Sequence, residues 1–255
     1  MEHPIESMNR QVADQCDIAR LIDHTSLKPE ATYEAIRKTC EEARKYGFAS
    51  VYVHPSMIAS AVRCLAGSRI NVGSVAGFPL GATISEVKAF EAETAILKGA
   101  REIDMVINIG ALRSGDYVLV EQDIRLVSEV CHSHHSLCKV IIETVYLTDE
   151  EKISACRLAK SAGADFVKTS TGFGPTGAIA RDVALMRCIV GPDFGVKAAG
   201  GIRDWKAFQE MVQAGANRIG TSASVKIVEE ARHAPANTPP QNPRDLVRGG
   251  GKSNY

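Results

Sequence analysis

The chain has 255 residues, 45% hydrophobic and 24% charged, which suits one large globular domain or two small ones. Thirty Lys and Arg balance thirty Asp and Glu, mixed along the chain, so no basic stripe invites nucleic acid and no patch invites an anionic membrane. The first twenty residues lack a signal-peptide core and no later stretch approaches the roughly 18 apolar residues of a membrane span, so a cytoplasmic protein is expected.

Eight stretches read as buried strands: 19–24, 49–54, 70–77, 101–108, 138–145, 165–171, 195–201 and 218–223, most of them rich in Val and Ile. Helical segments alternate with them, including 32–46, 84–98, 117–134, 149–162 and 204–214. Capping-box patterns from Thr83 to Glu86 and from Thr148 to Glu151 open two of these. Eight strand-helix units close a parallel barrel, so the expected fold is α/β: a single (β/α)8 TIM barrel over 1–233 with a short N-terminal helix. Residues 234–255 hold four prolines and a triple glycine, and are expected to form a flexible tail.

An internal repeat refines the picture. Gly47, Gly99, Gly163 and Gly215 each end a helix and lead at once into the second, fourth, sixth or eighth strand. Five residues beyond each glycine stand Tyr52, Asp104, Lys168 and Gly220. Equal connections would put all four at one depth, and barrel layers are built from alternate strands, so Asp104 and Lys168 should face each other across the interior.

A charged side chain inside such a barrel costs several kcal/mol unless it is paired. Asp104, Lys168 and Lys197 all fall at inward positions in the middle or later part of their strands, near the catalytic face. A structural ion pair accounts for one lysine and one aspartate, not for the second lysine. An ordinary lysine, with a pKa of about 10.4, is too fully protonated to attack a carbonyl; bringing it near 7 takes roughly 3 units, about 4 to 5 kcal/mol, from desolvation and a like charge together. The pair therefore points to Schiff-base chemistry, with the aspartate moving protons; physics alone does not say which lysine is which. The loops TSTGFGPTG, AAGG and IGTSAS after strands six to eight offer backbone N–H groups to an anion, the usual barrel phosphate site.

Two metal readings compete. His24 and His54 end the first and second strands but lack a third convergent ligand, so hydrogen bonding is the simpler role for them. Cys131, His132, His134, His135 and Cys138 cluster before a strand, on the face opposite the expected site, and read equally as a polar helix end. The seven cysteines form no C-x-x-C pair, as in a reducing compartment.

At LIDHTSLKPEAT, EIDMVINIGAL, KVIIET, GADFVKTSTGFGPTG, VKAAGGIRD and RIGTS, across about residues 18–228, the sequence resembles the deoxyribose-phosphate aldolase family. The resemblance implies a class I, cofactor-free cleavage of 2-deoxy-D-ribose 5-phosphate to acetaldehyde and D-glyceraldehyde 3-phosphate, by a homodimer. It implies that Lys168 forms the Schiff base, that Lys197 perturbs it, and that Asp104 relays protons. It further implies that Asp23 holds a sugar hydroxyl and that Thr171, Gly172, Gly200, Gly201, Gly220 and Ser222 line the sugar and phosphate site. Tyr255, the last residue, matches a C-terminal tyrosine that helps move a proton in some members. Tyr52 stands where some members carry a reactive cysteine, which implies better tolerance of acetaldehyde, and the phosphate loop, with Ala223 between Ser222 and Ser224, departs from consecutive serines. Two alternatives stay open: another class I phosphosugar aldolase of transaldolase-like type, or an inactive phosphosugar-binding barrel.

Overall fold

The structure, a computed structural model, describes residues 18–234. Residues 18–19 are helical; the rest of the expected N-terminal helix, the expected tail from 235 onward and Tyr255 lie outside the described residues. Eight parallel strands close a barrel in chain order: β1 Ile22–Ser26, β2 Ser50–Val53, β3 Asn71–Ala76, β4 Glu102–Val106, β5 Leu137–Ile141, β6 Phe166–Lys168, β7 Gly195–Ala199 and β8 Arg218–Thr221. Around it run α1 Tyr33–Tyr46, α2 Ile58–Leu65, α3 Ser85–Leu97, α4 Ile109–Arg113, α5 Tyr117–Ser133, α6 Asp149–Ser161, α7 Ala180–Val190, α8 Trp205–Gln213 and α9 Ser224–His233.

The strand alternation divides the molecule into two unlike interiors. Outward residues such as Val51, Ile103, Val140, Val167, Val196 and Ile219 belong to a continuous apolar core with inner helix residues such as Ile36, Ile96, Ile124, Ala155 and Phe208. At roughly 25 cal/mol per Å² of buried apolar surface, this jacket supplies the hydrophobic stabilisation. The barrel lumen, by contrast, is filled with polar and ionised side chains.

Local chemistry sets the element ends. Gly47, Gly99, Gly163 and Gly215 all adopt positive φ, at 74°, 109°, 82° and 110°, a conformation that L side chains avoid. Thr148 and Glu151 form the expected reciprocal capping box. Thr83 does not: α3 starts one residue later than that pattern requires, with Ile84 at its cap and no side-chain cap bond. β1 begins at Ile22, three residues past the expected start, because residues 18–19 are still helical.

Candidate active site

The strand registers stack the inward-facing residues in layers of four. Stepping two strands round the barrel advances the register by two residues, which puts Tyr52, Asp104, Lys168 and Gly220 in one layer, as the spacing from the four glycines predicts. Asp23, Gly73, Lys139 and Lys197 form the layer beneath, from the odd strands, and Ser50, Glu102, Phe166 and Arg218 the layer below that. One detail differs from expectation: Asp104 and Lys168 are neighbours in their layer, since β4 and β6 are successive even strands, and not opposite each other. Lys168 Nζ donates to Asp104 Oδ2 at 2.8 Å.

Lys197 Nζ donates to the same Asp104 oxygen at 2.7 Å and lies 2.5 Å from Asp23 Oδ2. Asp23 Oδ1 accepts from Ser50 Oγ at 2.6 Å and from Arg218 at 2.7 Å. Lys139 donates to Tyr52 Oη at 2.5 Å, pairs with Glu102, and stands 3.7 Å from Asp104 Oδ1. The layers thus hold three carboxylates, Asp23, Glu102 and Asp104, against four cationic groups, Lys139, Lys168, Lys197 and Arg218. Burial works against the charge on Asp104, but the ammonium groups of Lys168, Lys197 and Lys139 outweigh it and hold the carboxyl well below its ordinary range. Asp23 is likewise held low, with burial opposed by Lys197, Arg218 and Lys139. Lys197 moves the other way: burial pulls it down to about 8, with Lys168 and Lys139 adding to that and Asp104 and Asp23 resisting it. Asp104 Oδ1 makes no hydrogen bond among the described residues, and Lys139 Nζ stands 3.7 Å from it.

Above these layers, at the C-terminal ends of the strands, opens a cavity of about 620 Å³. Lys168, Thr171, Gly172, Gly200, Gly201, Gly220 and Ser222 all line it, so seven of the sequence-predicted residues converge there. Lys197 and Asp104 lie directly beneath. Asp23 does not line the cavity. Both of its oxygens face the buried cations, whereas Thr25, two residues on and on the same face of β1, and Ser26 after it line the cavity. The departure in the phosphate loop also has a structural reason. Ser224 is fully buried, its hydroxyl bonded to His24 Nδ1 at 2.8 Å and to Thr221 O, so Ser222 carries the loop's exposed hydroxyl.

The histidines take hydrogen-bonding roles: His24 Nε2 meets Glu42 at 2.8 Å, and His54 Nε2 meets the Leu27 carbonyl at 2.7 Å. Cys131 and Cys138 are buried, while His132 pairs with Asp165, on the side where strands begin. Among the described residues no His, Cys, Asp and Glu group suited to a metal occurs.

Sequence reasoning missed Lys139, Glu102, Arg218 and Glu143. Lys139 sits in CKVIIE among aliphatic residues, the same signal that marked Lys168, and alternation along β5 would have found it. Glu102 and Arg218 open their strands and read as surface residues. Glu143, at φ 52°, accepts from both Thr171 N and Thr171 Oγ1, and so fixes the start of the loop after β6.

A closed parallel barrel whose mouth cavity ends on a buried lysine bonded to a carboxylate has the build of a barrel enzyme with its chemistry at the C-terminal face. The chain belongs to the DeoC/LacD family of aldolases, whose sequence profile matches residues 17–225. It is 60% identical over 220 residues to a deoxyribose-phosphate aldolase of Thermococcus gammatolerans, covering 86% of this chain and 98% of that one. A deoxyribose-phosphate aldolase of Caldanaerobacter subterraneus is 57% identical over 215 residues, covering 84% and 93%. Among solved structures, the tetrameric deoxyribose phosphate aldolase from Aeropyrum pernix superposes with a TM-score of 0.79 at 32% identity, covering 89% of this chain and 97% of that one.

Proposed function

We propose that the protein reversibly cleaves 2-deoxy-D-ribose 5-phosphate to acetaldehyde and D-glyceraldehyde 3-phosphate through a Schiff base on Lys168. The observation that carries this reading is that Lys168, alone of the three interior lysines, lines the mouth cavity while sharing a carboxylate with Lys197. The Lys168 amine adds to C1 of the open-chain sugar and expels water to give an iminium. Loss of a proton from the C3 hydroxyl then breaks the C2–C3 bond, whose electron pair passes to the iminium as an enamine while C3 becomes the carbonyl of the departing product. Protonation at C2 and hydrolysis release acetaldehyde and restore the amine, so the cycle balances with protein groups and water. Asp104, the carboxylate that Lys168 and Lys197 share, serves as the relay, and the Lys197 ammonium, held by Asp23 and Asp104, supplies the like charge and the proton.

Gly200 and Gly201, both at positive φ, Gly172, Ser222 and the N-terminus of α9 form the anion end of the cavity, where backbone N–H groups and the helix dipole favour the substrate phosphate. Thr25 and Thr171 stand at the sugar between them. A cytoplasmic location suits a phosphorylated sugar, and the free thiols of the described cysteines fit a reducing compartment. A homodimer fits the outer face of α3, where Ile84, Phe90 and Leu97 are 65 to 71% exposed beside Leu80 at 75%. Tyr255 is assigned a supporting part in proton transfer, so deleting residues 235–255 should lower kcat and leave Schiff-base formation intact. The central test is release of acetaldehyde from deoxyribose 5-phosphate by wild type and by Lys168→Ala. Turnover by the wild type and its loss in the variant are expected, and an active variant overturns the assignment.

A further inference from the structure

We infer that Tyr52 is a positioning residue for Lys197, its aromatic face holding the lysine Nζ charged and centred between Asp23 and Asp104. The inference rests on the reading above, in which Lys197 works as the ammonium beside Lys168. Lys197 Nζ lies 3.7 Å from the Tyr52 ring centroid, well inside the range of a cation–π contact, and both side chains are buried.

The barrel is built to allow this contact. Gly73 leaves the space the ring fills: a Cβ there would lie 2.4 Å from Tyr52 Cζ. Gly220 leaves the space the lysine fills, since a Cβ there would meet Lys197 Cε at 3.0 Å. The phenol end is tethered, receiving from Lys139 Nζ at 2.5 Å and donating to Glu102 Oε2 at 3.3 Å, so the ring cannot swing out from beneath the ammonium.

The charged groups around Lys197 come from every side. Asp23 on β1 and Asp104 on β4 favour its charge; Lys139 on β5 and Lys168 on β6 oppose it, and Arg218 on β8 competes for Asp23. Burial is the largest influence against the ammonium. The ring quadrupole acts in the opposite direction, in a desolvated place where such contacts are strongest. A small or aliphatic residue at position 52 would fill volume without providing it.

Removing the ring should therefore let Lys197 lose its proton at lower pH, while removing only the hydroxyl should not. The experiment compares the pH dependence of kcat/KM for deoxyribose 5-phosphate cleavage in wild type, Tyr52→Phe and Tyr52→Leu. The alkaline limb is expected to stay in place for Tyr52→Phe and to move down by about one unit for Tyr52→Leu, the size of a buried cation–π contact expressed as a pKa shift. A merely structural role would lower activity or melting temperature in Tyr52→Leu and leave the limb where it is, which would overturn the inference. Should Tyr52→Leu fail to fold, phenylalanines of increasing ring fluorination at position 52 keep the shape and weaken the quadrupole. A stepwise downward movement of the limb supports the inference, and an unmoved limb refutes it. Absence of aldolase turnover in the wild type would instead refute the underlying function, so the two failures are distinct.

Discussion

Replacing Lys139 with methionine tests whether the barrel interior is held by its ionic layers. The ammonium is fully buried and touches Tyr52 Oη, Glu102 and, at 3.7 Å, Asp104. Methionine keeps most of the volume, so the loss is electrostatic. Removing one partner of a buried pair costs about 3 to 5 kcal/mol because the other charge is left uncompensated. Here Glu102 keeps Asn71 Nδ2 at 3.1 Å and Arg218 at 3.4 Å, which places the expected loss at the lower end, about 3 kcal/mol. For a protein of this size, that lowers the melting temperature by about 6 to 12 °C. Thermal unfolding at neutral pH, with circular dichroism to establish the native fold, provides the assay. The same substitution removes one of the cations that push Lys197 down, so the alkaline limb of activity should move up, opposite in sign to Tyr52→Leu. A melting temperature within about 2 °C of wild type, below the shift expected for 1 kcal/mol, would refute the argument that these charges are shielded from water.

Three further outcomes are expected. Lys197 works as an ammonium whose pKa burial has lowered to about 8; its proton is lost as pH rises through that value, so kcat/KM should fall by a factor of ten per unit above it, and a flat profile to pH 10 would contradict this. Gly177→Ala should raise KM for the phosphorylated sugar by about tenfold with little change for unphosphorylated deoxyribose, because a Cβ there would lie 2.1 Å from Gly200 O and must displace the anion-binding turn; equal effects on both sugars would argue against that turn as the phosphate site. Phe90→Glu on the exposed stripe of α3 should shift the species seen by light scattering toward monomer at micromolar concentration, and an unchanged mass would place the interface elsewhere.

The even-strand layer was legible because four helix-to-strand turns have the same length, so a count from each glycine lands on the same depth; local spacing encoded a tertiary fact at Tyr52, Asp104, Lys168 and Gly220. The odd strands have no shared marker, and Asp23, Lys139 and Lys197 become layer-mates only once the stagger between all neighbours is known. Lys139 therefore escaped a reading that relied on the glycines. The role of Asp23 was taken from its neighbourhood in a motif, whereas its burial beside Lys197 depends on β8 pairing with β1, the most sequence-distant contact in the barrel. Thr83 looked like a helix cap because pattern alone ignores where the preceding turn, set by Gly81 at φ 69°, releases the chain.

The mechanism requires that Lys168, and not Lys197, carry the carbon chemistry. Incubating the protein with acetaldehyde and borohydride and mapping the modified peptide tests it most directly. A reduced two-carbon adduct on Lys168, absent in Lys168→Ala, is the expected result. An adduct on Lys197 in the wild type, or continued turnover with no trapped lysine, would rule out a Schiff base on Lys168.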